Sequence, residues 1–333
     1  MAKNATFFRK LFRDICRGYS EIQFQGSPIY IKHFNTHDQV FLDDIYDETY
    51  EQAKIKGLPT EEEKITFLIK QGSWSEKKEK EITYTQDYIT RLQQSKKSII
   101  LKSKIDKQNE QIKKAQEELS EKLNEKRGLL GLTCEQRAEN TLNDYYIYYS
   151  LFSDKSLDKY QFESPEEFFE LEQEYVELVR EYNDYISNFS ETNIQSVILE
   201  DFYYSYFPFC DDTVGFFGKP VANLSHHQLK LIVYTRVFKN ILETADNIPD
   251  KIKKDPQALL EFGSMTPEAK ERIQKQIEGK GAASLVGAKK EDYEYLGLTP
   301  PSDSGNTLNK NLKEYGGNMN MMDMMKAQGI KTK

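Results

Sequence analysis

Proline is absent between Pro59 and Pro165, and glycine is absent from 73 to 127. Lacking the two residues that most often interrupt helices, this stretch is free to run as long helix. Long apolar runs are absent too. None approaches the ~20 residues that cross a bilayer, and the apolar residues near the start are broken by Arg9, Lys10, Arg13 and Asp14. No signal peptide is expected, and the chain reads as a soluble cytoplasmic protein, in the host cytoplasm or a virion if viral. Cysteine is scarce: Cys16, Cys134 and Cys210 form no CxxC pair and leave an odd count, which fits free, mostly buried thiols in a reducing compartment. Positive charge is in deficit. A formal net charge of -8 opposes nucleic acid or an anionic membrane as partner, because neutralising phosphate needs excess Lys and Arg. A hydrophobic content of 38% over 333 residues is low for one compact fold, so part of the chain is expected to be extended or loose.

What fills the proline-free stretch is helical periodicity. Ile82, Ile89, Leu92 and Ile99 fall on one stripe and Ile105, Ile112, Ala115, Leu119 and Leu123 on another, with Lys, Glu and Gln opposite. Neither stripe is wide enough for a large core. Ser103-Lys-Ile-Asp106 reads as a capping box after the less helix-prone Ser98-Ile-Ile-Leu101, so a reversal is expected around 101–103. Two antiparallel helices, each about 36 Å long at about 1.5 Å per residue, would then project from the body as an arm. One unbroken rod is the competing arrangement. Glu110 with Lys114 and Glu118 with Lys122 are favourably spaced on the solvent face.

Residues 6–17 place Phe7, Phe8, Leu11, Phe12 and Ile15 on one helical face, with Arg9, Lys10, Arg13 and Arg17 around it. That apolar face needs a cover, its own domain or a partner subunit, and Phe8, Leu11 and Phe12 are candidate partner-binding residues. Glu21-Ile-Gln-Phe24 and Ile29-Tyr-Ile-Lys-His33 alternate apolar and polar about Gly26, as a β-hairpin does. Thr36-His-Asp-Gln39 reads as a capping box opening a helix through Val40, Leu42, Ile45, Tyr46 and Tyr50, and Thr60-Glu-Glu-Glu63 opens another closed by Gly72. Residues 22–39 resemble the start of the tail-assembly chaperones and baseplate-assembly proteins of contractile-tailed bacteriophages, where a short glycine-turned hairpin leads into a threonine-capped helix. The resemblance covers this segment alone. It implies binding of a tail or baseplate protein and carries over no catalytic residue.

After Gly128 the composition turns aromatic. Thr133 caps a helix bearing Leu142, Tyr145, Tyr146, Tyr149 and Phe152, and Ser164-Pro165 opens the next. Tyr- and Phe-rich helices continue to Phe209, and Ser225-His-His-Gln228 caps an apolar helix through Leu229, Ile232, Val233, Val237, Phe238, Ile241 and Leu242 that is expected at the centre. Small helices follow Asp255-Pro256 and Thr266-Pro267. Beyond Gly279 the chain is rich in Gly, Ser, Asn and Lys, with too few large apolar residues to offset the entropy of ordering. At its far end Met319, Met321, Met322, Met324 and Met325 read as a docking peptide, since flexible thioethers suit adaptable apolar contacts.

Chemistry-bearing residues are few. His33 and His37 are spaced like a zinc pair, but one lies in a strand and the other at a helix start, with no third ligand near in sequence. His226 and His227 point about 100° apart on one helix, which suits surface or capping roles. Asp43, Asp44, Asp47 and Glu48 read as a solvated face favoured by the helix dipole. Phe216-Phe-Gly-Lys-Pro220 lacks the first glycine and the Ser or Thr of a phosphate loop and reads as a turn. The tyrosine clusters are flanked by Asp144, Asp201, Asp211 and Asp212, so core packing accounts for them better than base stacking. No Ser-His-Asp or Cys-His motif stands out, and no catalytic residue, cofactor or metal is expected.

The expected fold is mainly α: an N-terminal β-hairpin and helices over 1–72, a long antiparallel helical hairpin over 73–128, a Tyr-rich helical body over 129–278, and a disordered C-terminal tail over 279–333 with the Met docking segment. The expected function is tail or baseplate assembly by protein-protein binding, without enzymatic activity. A permanent virion or scaffold component and an unrecognised cytoplasmic enzyme stand as alternatives, and homo-oligomerisation is left open.

Overall fold

A computed structural model describes residues 5–171, 173–245, 248–277, 288–296 and 298. Helix α1 (Ala5–Arg17) leads into the expected hairpin of β1 (Tyr19–Phe24) and β2 (Ser27–Lys32), with Ile22 opposite Ile29. The two-residue turn takes Gln25 and Gly26 to φ of 51° and 77°, the left-handed pair whose twist matches the strands. Helix α2 (Thr36–Ile55) is capped one residue earlier than the sequence suggests. Asn35 accepts from the amides of His37 and Asp38, and Asp38 accepts from the amide of Asn35. Asparagine outranks threonine as an N-cap, which accounts for the shift.

Helix α3 (Glu61–Gln71) keeps the Thr60–Glu63 capping box and ends on Gly72. Helices α4 (Glu76–Lys96) and α5 (Lys102–Leu130) form the antiparallel hairpin, and α6 (Cys134–Ser150) runs back along α2. A third strand, β3 (Leu151–Phe152), adds to β2 through Leu151 and Ile31, for the order β1-β2-β3. It was not foreseen, because its two apolar residues continue the helical stripe of α6. The remaining helices are α7 (Pro165–Phe169), α8 (Gln173–Ile186), α9 (Glu191–Ile198), a 3-10 run over Asp201–Phe209, α10 (Thr213–Phe217), α11 (His226–Thr244), α12 (Asp250–Lys253), α13 (Pro256–Ser264), α14 (Pro267–Ile277) and α15 (Lys290–Tyr295).

The main core gathers Phe8, Leu11 and Ile15 of α1, Ile194, Val197 and Ile198 of α9, Tyr203 of the 3-10 run, Leu231 and Phe238 of α11, and Leu259 and Phe262 of α13. Gly263 permits a close approach of α13 to α11, since a Cβ there would stand 2.3 Å from Ile241. Helix α11 is central as expected, but Val233 and Val237 lie 54% and 36% exposed. Its inward stripe runs Leu231, Thr235, Phe238 and Ile241, and the two valines fall outside that arc. A second core joins Ile22, Ile29, Ile31 and Leu151 of the sheet to Ile147 and Tyr148 of α6, Phe168 of α7 and Leu178 and Tyr182 of α8. The N-terminal helix and strands are thus built into the helical body.

The hairpin departs from the expected free arm. Its turn end is docked: Leu101 and Ile105 are buried in the main core, the amide of Thr266 donates to the carbonyl of Lys97 at 3.0 Å, and Lys96 pairs with Glu261 at 3.1 Å. The Ser103–Asp106 capping box does not form. The amide and hydroxyl of Ser103 instead donate to Asp292 of α15 at 2.6 and 2.8 Å, and Asp106 pairs with Lys102. A carboxylate from α15 therefore serves the start of α5, whose own N-cap, Leu101, has no side chain able to do so. At the far end Trp74, Ile82 and Leu130 pack with Leu68 of α3, and the amide of Cys134 donates to the carbonyl of Pro59. Between these anchors, among the described residues, the hairpin packs on itself through Ile89, Ile112 and Ala115 with Leu92 and Leu119. The α2/α6 pair leaves the body, meets the α4/α5 pair around α3, and the latter returns to the body, giving a closed frame.

Candidate interaction surfaces

The residues expected to bind a partner are divided by the structure. Met319, Met321, Met322, Met324 and Met325 lie outside the described residues. Phe8 and Leu11, 8% and 3% exposed, belong to the main core, and Phe12 is half-buried against Phe202, Tyr203 and Tyr206. The chain itself covers Phe8 and Leu11, which offer no free surface to a partner, whereas Phe12 keeps one side open to a cleft. The reason is that α9 and the 3-10 run supply an apolar wall that periodicity in α1 alone cannot reveal.

Two other surfaces expose apolar groups. Along the seam of α2 and α6 runs a groove of about 650 Å³ lined by Phe41, Ile45, Thr49, Leu132, Tyr145 and Tyr149. Val40, Phe41, Leu132 and Ile55 are 56%, 46%, 53% and 84% exposed. The seam closes on small residues, Ala53 and Ala138, which let the helix axes approach and leave the larger side chains outside. Asp43, Asp44, Asp47, Glu48 and Glu51 line the outward face of α2, and none pairs with a cation among the described residues.

The second surface is a cleft of about 780 Å³ between α1, the 3-10 run and α10, lined by Phe12, Arg13, Cys16, Arg17, Tyr206 and Phe209, with Phe216 at its edge. Phe209 is 60% exposed. Arg9, Arg13 and Arg17 stand in a row on the outer face of α1. Arg9 covers the ring of Phe202 at 4.8 Å, Arg13 reaches its neighbour Asp14 at 3.3 Å, and Arg17 lies over Tyr19 at 6.0 Å. Burial pushes the Cys16 thiol up to about 12, so it is a protonated, inert group at neutral pH.

Inside the body sits a polar cluster. Ser20 and His33 share a hydrogen bond of 2.7 Å, His33 meets His227 with ring centroids 4.9 Å apart, and Phe189 stacks on His227. Nearby, the Tyr185 hydroxyl donates to the buried carboxylate of Asp14 at 2.6 Å. The Nδ1 atoms of His33 and His227 are buried without a hydrogen-bond partner. Desolvation, then the neighbouring His227, holds His33 well below the usual imidazole range, and desolvation brings His227 down to about 4, helped by Lys230 and His226. Both rings are neutral at pH 7. Ser20 and His33 touch as a nucleophile and base would, but Ser20 is fully buried and none of the described clefts includes it. The arrangement is a structural network. Sequence spacing offers His33 only His37, an unsuitable pair, and suggests a surface or capping role for His227, whereas the fold brings together His33 and His227 across nearly two hundred positions. No local spacing signals that meeting.

Comparison with protein-family models, with curated proteins and with solved structures finds no match.

Proposed function

We propose that this chain works by binding protein, as an assembly factor of the tail or baseplate kind that residues 22–39 resemble. The observation that carries the reading is the groove of α2 and α6, where exposed apolar side chains are rimmed by Glu48, Gln52, Lys56 and Arg137. Phe41 and Leu132, 46% and 53% exposed, line it together with Ile45, Tyr145 and Tyr149, and exposed apolar groups gathered in one groove of a folded surface mark a place where another surface is buried. The closed frame supports it by holding that groove at a fixed distance from the body, so that a partner meets a preformed surface and loses less ordering entropy on binding.

The test is co-expression with tail and baseplate proteins of a contractile-tailed phage, followed by co-purification of the wild type and a Phe41→Ser/Leu132→Ser variant. Both positions are solvent-facing, so the variant should keep its helical circular dichroism. A partner held at fixed stoichiometry by the wild type and lost by the variant is expected. Equal capture by both would remove the groove from the function, and capture of none of those proteins would contradict the assembly role.

A further inference from the structure

Among the described residues, the arginine row beside the aromatic cleft has no acidic partner apart from the buried Asp14. Arg9, Arg13 and Arg17 are spaced i, i+4, i+8, so they form a ridge about 12 Å long on one face of α1. The same interval recurs on α2 with opposite sign: Asp43, Asp47 and Glu51 are all exposed and none meets a lysine or arginine among the described residues. Each row has apolar company. Phe209 and Tyr206 flank the arginines, and Val40 and Ile55 stand at the two ends of the acidic row.

Building on the assembly role, we propose that the cleft and its arginine ridge receive the α2 face of a second copy of this chain. The acidic row pairs with the ridge, and an exposed apolar side chain of α2 enters the aromatic cleft. Charge complementarity at matched spacing argues for this occupant over others. The chain's own residues 299–333 carry Lys310, Lys313, Lys326, Lys331 and Lys333 against Asp303, Glu314 and Asp323, a balance repelled by arginines. Nucleic acid would have to approach a molecule of net charge -8. Because the two surfaces are different patches of one chain, the contact is head to tail, and it propagates as a filament or closes as a ring.

The test is charge exchange read by sedimentation velocity on the full chain. Wild type should form species larger than a monomer at low ionic strength and dissociate at about 1 M salt, where the screening length is about 3 Å. Arg9→Glu/Arg17→Glu and Asp43→Arg/Glu51→Arg should each weaken self-association about tenfold or more, while keeping the wild-type melting curve. Arg13 is left in place because it touches Asp14. Mixed in equal amounts, the two variants should assemble with each other, since each supplies the complement of the other's altered face. A monomeric wild type at low ionic strength, assembly that survives either reversal, or a mixture that fails to recover association would overturn the proposal. So would a wild type that stays monomeric yet binds a polyglutamate peptide or an RNA oligonucleotide through the ridge. Co-purification with tail or baseplate proteins is a separate readout, so its persistence without self-association would sink this contact alone.

Discussion

The α2/α6 pair closes its seam on Ala53 and Ala138 and roots its end in the sheet through Ile147 and Tyr148, whereas α4 and α5 touch along a thin line of Ile89, Ile112 and Ala115. Both are antiparallel pairs, yet the first is held by its own long seam and one rooted end and the second by its two ends. The salt bridges that decorate α5, such as Lys114 with Glu110 at 2.7 Å, are exposed and contribute little. A narrow pair of this kind persists because Leu101 and Ile105 sink into the main core at one end and Leu130 joins Trp74 at the other. The lesson is that a long charged hairpin is not by itself an arm. Tertiary anchors decide whether it projects or braces.

That contrast can be broken at graded points. Phe238→Ala removes a fully buried ring from the main core and should cost about 3–5 kcal/mol, lowering the urea midpoint of the whole molecule. Leu101→Ala strikes the anchor itself and should cost about 2–4 kcal/mol. It should accelerate amide exchange across α4 and α5 more than in α11; a uniform acceleration would deny the hairpin its dependence on that end.

Acid tests the body. An imidazole held below its unfolded value stays neutral in the fold, so the unfolded chain binds more protons once pH falls under about 6.5. Stability should be flat above that and decline toward pH 4, by up to about 1.4 kcal/mol per pH unit for each histidine involved. The groups facing the pair are Ser20, Phe189, His226 and Lys230. His227→Phe should flatten the curve of urea stability against pH, and an unchanged slope would contradict the burial.

Smaller effects follow at the clasp and the surface. Asp292→Ala leaves the first amides of α5 without their carboxylate and should cost about 1–2 kcal/mol, seen as faster exchange at Ser103. Lys114→Ala should leave the melting temperature unchanged, because its ion pair is fully solvated.

Much of this architecture is legible in the sequence because its determinants are local. The Thr60, Thr133, Ser164 and Ser225 caps, the Gly26 turn and the long stripes are all set within a few residues. What the sequence hides is long-range. Ser103 looks like a helix cap but is taken by Asp292, almost two hundred positions away, and Phe8 and Leu11 look like a docking face until α9 covers them. The candidate surfaces were half visible: the Arg and Asp rows can be read from spacing, but the exposure of Leu132, Ile55 and Phe209 depends on which neighbours the fold brings or withholds.

The account rests on the hairpin being a strut fixed at its turn. Hydrogen exchange followed by mass spectrometry on the intact chain addresses that most directly. Peptides covering 99–106 should be protected to the level of α11, despite lying next to a reversal of the chain. Exchange there within seconds, with α11 still protected, would mean that the turn swings free and that no closed frame exists.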